Sequence, residues 1–323
     1  MGSILESTDI KNKLIDLSGV VVEVQALYAA HRTRRNAQQK EKFLDADFKE
    51  LIIDPYLLRL EHSHVEPGFK DVRNCMTFWG RPPIHVLELA GVIQQKLKEV
   101  APSELNSEYQ CDAKTADEGA IRTVLLINEL RDKWNIWLMP QHRMHITTLE
   151  LAFSRTPDEI EQIKETLKPA IPTIASYTYR HRARLVKPMI SYDLSAFALS
   201  FLPAAGEPVV SPAPAAPDSA AVLKQGDRYS YHHLRRDMWE QAKEAGITVD
   251  SRYVVPSAHI TLGRYLTHED HATPEQRKKW VDAIDNVNEW LEREVWGKAD
   301  SKVIGEWVVG QEKGIDVRVG TLW

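Results

Sequence analysis

Two segments of the chain, His145-Ile146-Thr147-Thr148 and His259-Ile260-Thr261-Leu262, carry the same arrangement of imidazole and hydroxyl. On a β-strand, residues two apart point to the same face. Each segment therefore presents its histidine and threonine together and turns Ile146 or Ile260 the other way, into a core. Two such strands facing one cleft supply two histidines and two threonines. A histidine of ordinary pKa, about 6.5, exchanges protons at neutral pH. Across a phosphate ester, one ring takes the proton of the attacking oxygen and the other gives a proton to the leaving oxygen. Each positioned group of this kind contributes about 10²–10⁴-fold. The hydroxyls of Thr147 and Thr261 can donate to the non-bridging oxygens, where charge must be held in the transition state. Such chemistry calls for no cofactor and no metal. A single His-x-Thr is ordinarily structural, so the weight lies in the pair.

The elements around the two segments repeat as well. Thr156-Pro157-Asp158-Glu159 follows the first and Thr273-Pro274-Glu275-Gln276 the second. Both read as a capping box, with Thr as N-cap, Pro at the first helical position and Glu or Gln three residues after the cap. The helices they start are expected to reach about Ala175 and about Trp296. A strand, a turn and a Thr-Pro-capped helix, occurring twice, mark a duplicated structural unit. Further strands are expected at 75–79, 184–192 and 197–202, and helices at 20–30, 84–100, 120–134 and 231–245. Residues 101–119 read as polar loop, and 203–227, rich in Pro and Ala, as a long surface loop. Lys313-Gly314, between the apolar runs 306–309 and 315–319, is a hairpin signal.

The composition bounds the function class. The 323 residues are 43% hydrophobic and 27% charged, with a formal net charge of −5, as in a globular protein. Stable binders of long nucleic acid are usually basic, so a small anionic substrate in a locally basic cleft fits better. Cys75 and Cys111 are the two cysteines, too few for a disulfide scaffold. No apolar run approaches the ~20 residues of a membrane span, and Met1–Glu6 lack the basic start and apolar stretch of a secretory signal. The expectation is an intracellular protein, cytoplasmic or nuclear, with no membrane partner.

Other residues are weighed against that pair. Arg264 lies five residues after His259 and has the wrong strand parity, so it needs a twist or bulge to reach the same cleft, where it would neutralise phosphate. Tyr192, Tyr253 and Tyr265 are candidates for stacking on a base, and Trp137 for a ligand contact. The charged run His31-Arg32-Thr33-Arg34-Arg35 reads as a solvated helix, with a phosphate-facing arm as the alternative. Residues 179–184 and 231–236, basic and partly aromatic, read as solvated faces. His62 and His64 could share one side of a strand, but no third metal ligand is spaced near them. His142 reads as a rim or surface residue.

The paired segments resemble the His-x-Thr/Ser-hydrophobic motifs of the 2H phosphoesterase superfamily, which includes LigT-type 2′,3′-cyclic phosphodiesterases, often labelled 2′-5′ RNA ligases, and exonucleases that trim small RNA ends. The resemblance covers about residues 75–323. It implies an α+β fold of two pseudo-symmetric lobes, with antiparallel sheets lining a central cleft, helices outside, and one motif per lobe. An N-terminal helical accessory segment, 1–70, would precede a two-lobed domain, 71–323. His259-Ile260-Thr261-Leu262-Gly263-Arg264 is similar to the LigT-type second motif, in which the arginine contacts substrate phosphate. The resemblance implies a metal-independent cyclic nucleotide phosphodiesterase, with His145 and His259 as acid and base in an unassigned order. A small nucleotide or RNA end would be its partner and a monomer its state. Trimming of 3′-5′ or 2′-5′ oligonucleotides is an alternative, as is a small-molecule enzyme or binding protein that reuses the cleft. Two features depart from the family pattern: Thr148 stands where a hydrophobic residue is usual, and the motifs lie further apart than in compact members.

Overall fold

Stretches of alternating apolar residues in this chain become strands of one open antiparallel sheet. The computed structural model describes residues 21–100, 135–211, 226–249, 255–298 and 300–323. The helix expected at 120–134, most of the loop at 203–227, Cys111 and Tyr253 lie outside the described residues. The strands are β1 (Asn74–Gly80), β2 (Ile136–Leu138), β3 (Ile146–Arg155), β4 (Arg184–Tyr192), β5 (Ala196–Pro203), β6 (His259–Tyr265), β7 (Trp307–Val308) and β8 (Ile315–Thr321). Their order is β7-β4-β5-β6-β3-β1-β8, with β2 paired beside β6. The described helices are α1 (Val21–Leu44), α2 (Pro55–Glu61), α3 (Ile84–Lys98), α4 (Pro157–Leu167), α5 (Ile171–Ser176), α6 (Tyr231–Glu244) and α7 (Pro274–Glu294). The class is α+β.

The sheet has two halves of like construction. In one, β8 pairs β1 and β1 pairs β3; in the other, β4 pairs β5 and β5 pairs β6. Each half has a helix between its last two strands, α3 or α6, and a Thr-Pro-capped helix after its motif strand, α4 or α7. Both capping boxes form. Glu159 accepts from the Thr156 amide at 2.8 Å, and Gln276 accepts from the Thr273 amide at 2.9 Å. Strands β3 and β6 meet at one residue pair, Ile146 opposite Ile260, and β2 pairs β6 alongside. The halves therefore make one continuous antiparallel sheet.

Three expectations are corrected. The helix begun at Thr156 stops at Leu167, and α5 starts afresh at Ile171. Pro169 and Pro172 lack the amide hydrogens that would continue the ladder across this turn. The C-terminal strands form no hairpin: β7 pairs β4 and β8 pairs β1, at opposite edges of the sheet. The intervening chain is tied elsewhere, Thr178 Oγ1 donating to Gly310 O at 2.8 Å and Gln311 Nε2 donating to Thr178 O. Lastly, α1 does not end near Ala30 but runs through the charged segment to Leu44. It buries Val24, Tyr28 and Phe43 in the common core, so residues 21–44 fold onto the rest of the chain. Its Arg32 is 7% exposed and donates to Lys187 O at 2.7 Å and Ser200 O at 3.3 Å.

Among the described residues no helix is long and apolar enough to cross a membrane.

Candidate active site

The two His-x-Thr segments meet at the junction of the halves. Because Ile146 faces Ile260 in antiparallel register, the neighbouring positions place His145 beside Thr261 and Thr147 beside His259. The isoleucines, 1% and 0% exposed, point into the core, which turns the four functional side chains to the opposite face. The helices behind are exchanged between halves. Tyr231 of α6 donates to Thr147 O at 2.8 Å, and Gln94 of α3 donates to Leu262 O at 2.8 Å and Met139 O at 2.9 Å. Each motif strand is thus braced by a helix of the other half.

Both motifs end in the same irregularity. Along β3, Thr147 pairs Trp79 and Leu149 pairs Phe78, so Thr148 is an extra residue. Along β6, Thr261 pairs Ala198 and Gly263 pairs Phe197, so Leu262 is the extra residue. A bulge of this kind shifts the parity of the residues beyond it. It brings Arg264 to the face of His259 and Thr261, where it lines the same cavity. Gly263 is required there, because a Cβ would lie 2.4 Å from Phe197 Cζ and 2.6 Å from Trp137 O. Thr148, polar where an apolar residue is usual, is fully buried and donates to Phe78 O at 3.0 Å.

That cavity, about 540 Å³, is walled by β6, by β4 and β5, and by α1. His259, Thr261, Arg264, Tyr192, Asp193, His31, Arg34 and Arg35 are among its lining residues. Among the described residues its wall holds four arginines (32, 34, 35 and 264) against one carboxylate, Asp193, although the chain as a whole is acidic. His145 and Thr147 are not part of this wall. His145 instead lies flat on Trp79, ring centroids 3.6 Å apart and planes 9° apart. Arg81 sits 4.7 Å from the Trp79 ring centroid.

The imidazoles are held differently. His145 Nδ1 lies 2.7 Å from Arg143 O. A carbonyl only accepts, so Nδ1 carries the proton and the neutral ring keeps its lone pair on Nε2. Burial lowers its pKa to about 4, and the charges of Arg81, His259 and Arg143 act in the same sense, against the Arg143 carbonyl. His259 Nδ1 lies 3.0 Å from Ser257 Oγ. This ring opens to solvent through the cavity, yet it sits deep in the concave wall. The surrounding protein lowers its pKa, Arg235 and Arg264 adding to the effect and Asp193 opposing it. Both shifts favour the neutral ring at pH 7. A bound phosphate anion favours the protonated form, which is how one ring can become an acid while the other remains a base.

The remaining candidates divide. Tyr192 lines the cavity, but it is 6% exposed, meets Phe43 edge-on, and its hydroxyl has no hydrogen-bond partner among the described residues. Tyr265 is a core residue, not a base-stacking one: it is 1% exposed, and its hydroxyl accepts from Trp280 Nε1 at 3.1 Å. Trp137 pairs Arg264 across β2 and β6, but its ring is 3% exposed and packs on Trp323 instead of facing the cavity. His142 is exposed on a 3-10 turn, and His62 stacks on His64. The basic runs are not solvated faces. Arg182 and Arg184 are buried against Asp227, Arg184 also against Glu306, and Arg235 is buried with Nη1 donating to Val255 O at 2.6 Å. Sequence reasoning missed Trp79 and Asp193, for which the sequence offers no signal. For α1 the signal was present: Tyr28, His31, Arg35 and Gln38 recur at helical spacing on one face. Among the described residues no group of three or more His, Cys, Asp or Glu is placed to hold a metal ion.

No protein-family model matches the chain, and no curated protein matches it. Nine chains of solved structures match. One is the crystal structure of TT0787 of Thermus thermophilus, 13% identical, covering 76% of this chain and 94% of that one with a TM-score of 0.31. At that degree of likeness it is a similarity alone, and the functional reading rests on the geometry of the two motifs and their cavity.

Proposed function

We propose that the chain is a metal-independent phosphodiesterase that hydrolyses 2′,3′-cyclic phosphates of nucleotides or RNA ends, as its resemblance to 2H phosphoesterases implies. The observation that carries the reading is the direct pairing of Ile146 with Ile260, which puts two imidazoles and two hydroxyls on one face of one sheet. Water attacks phosphorus and gives its proton to the neutral imidazole. The bond from phosphorus to the 2′ or 3′ oxygen breaks, and that oxygen takes the proton of the imidazolium. The product is a phosphate monoester, and the two rings have exchanged protonation states. Thr147 and Thr261 donate to the non-bridging oxygens while Arg264 balances their charge. The arginines of the cavity favour a small anion in spite of the net charge of −5.

The test is turnover of the four nucleoside 2′,3′-cyclic monophosphates in the presence of EDTA. The reading expects monoester product that is indifferent to the chelator. A wild-type protein that leaves all four intact would remove cyclic mononucleotides as substrates, and turnover abolished by EDTA would replace the proton-only mechanism.

A further inference from the structure

We propose that the cavity-lining face of α1 is a second phosphate subsite, formed by His31, Arg34 and Arg35, for a phosphate one nucleoside away from that held at His259 and Thr261. The inference rests on the two-histidine reading and extends it to the substrate's far end.

The helix that carries the subsite is tied to the sheet. Arg32 is fixed by its bonds to Lys187 O and Ser200 O, and Asn36 Nδ2 donates to Ile190 O at 2.9 Å. These residues clamp α1 to β4 and β5 from either side of Arg34 and Arg35. The two arginines then share the wall of one cavity with His259, Thr261 and Arg264. Its volume of about 540 Å³ lies in the range of nucleotide-sized ligands, about 300–1,000 Å³, and leaves room beyond a single phosphate. Asp193 is the one carboxylate among the described residues of that wall, and its Oδ2 lies 3.8 Å from Arg35 Nη2, an exposed contact of little strength. Among the described lining residues Arg32, Arg35 and Arg264 outnumber that carboxylate, so positive charge is in excess there. His31 records it: burial, then the charges of Arg35 and Arg34, push its pKa down to about 4. A planar guanidinium matches two phosphate oxygens at once, and a concave basic wall concentrates anions.

Two substrates present such a phosphate: a mononucleotide through its 5′-phosphate, and an RNA end through its next internucleotide linkage. Binding of three non-reacting probes to the full chain, followed by calorimetry, separates them. The probes are adenosine 2′-phosphate, adenosine 2′,5′-bisphosphate and a diadenosine dinucleotide with a terminal 2′-phosphate. The extra phosphate is expected to tighten binding about tenfold or more, and an Arg34→Gln/Arg35→Gln double variant to bring the probes within about twofold of adenosine 2′-phosphate. Gain with the bisphosphate supports the subsite for mononucleotides, and gain with the dinucleotide alone supports it for RNA ends. No gain with either, or a gain that survives in the double variant, overturns the proposal. If adenosine 2′-phosphate does not bind and His259→Ala weakens no probe, while the arginine double variant still weakens the bisphosphate or the dinucleotide, the two-histidine reading fails and the subsite stands.

Discussion

Ile146 and Ile260 face each other across the antiparallel contact of β3 and β6, at the single residue pair where these two strands meet. Neither isoleucine does chemistry, but their pairing fixes the phase of everything beside them. A slip of one residue would turn the histidines and threonines of one motif into the core. The active face thus depends on register, and register depends on burying these two side chains.

Gly263 sets the position of Arg264. Gly263→Ala is expected to cost about 1–3 kcal/mol of stability through the clash with Phe197 and to reduce activity further by straightening the bulge. Chemical denaturation measures the first effect, and turnover at a temperature where the variant is fully folded measures the second. Wild-type turnover in a folded Gly263→Ala protein would show that Arg264 does not need the bulge.

Trp79 covers one face of His145 and contributes to the burial that lowers its pKa to about 4. Trp79→Leu admits water to that ring, so its pKa is expected to rise toward the ordinary value of about 6.5. NMR titration of His145 reads this directly. An unchanged pKa would assign the shift to other neighbours.

His271 is 2% exposed, neither ring nitrogen has a hydrogen-bond partner among the described residues, and burial pushes its pKa down to about 4. The unfolded ring protonates near 6.5, so the unfolded state takes up protons first as pH falls. The stability of the neutral ring is complete above about pH 6.5 and is lost progressively toward pH 4, about 2 kcal/mol by pH 5 at most. In His271→Phe the loss between pH 7 and pH 5 should shrink by up to that amount. Urea midpoints at the two pH values decide it, and an equal loss in both proteins would contradict the account.

Much of this was legible in the sequence because the signals were local. The Thr156 and Thr273 caps, the strands at 75–79, 184–192 and 197–202, and the need for a bulge before Arg264 all follow from neighbouring residues. The partnerships that span the chain were not legible. Tyr265 is a candidate for stacking on a base until Phe43, from α1, and Trp280 close over it. Arg182 and Arg184 read as surface charge until Asp227 and Glu306 bury them. The stacking of Trp79 on His145 depends on the β1–β3 register, which neither strand declares alone.

The most direct test of the two-histidine account is hydrolysis of a 2′,3′-cyclic nucleotide by His145→Ala, His259→Ala and the double variant, beside wild type. Each single variant is predicted to lose about 10²–10⁴-fold in kcat, and the double variant to lose little more than the worse single one, because the two rings serve one proton relay. Full activity in either single variant would contradict it.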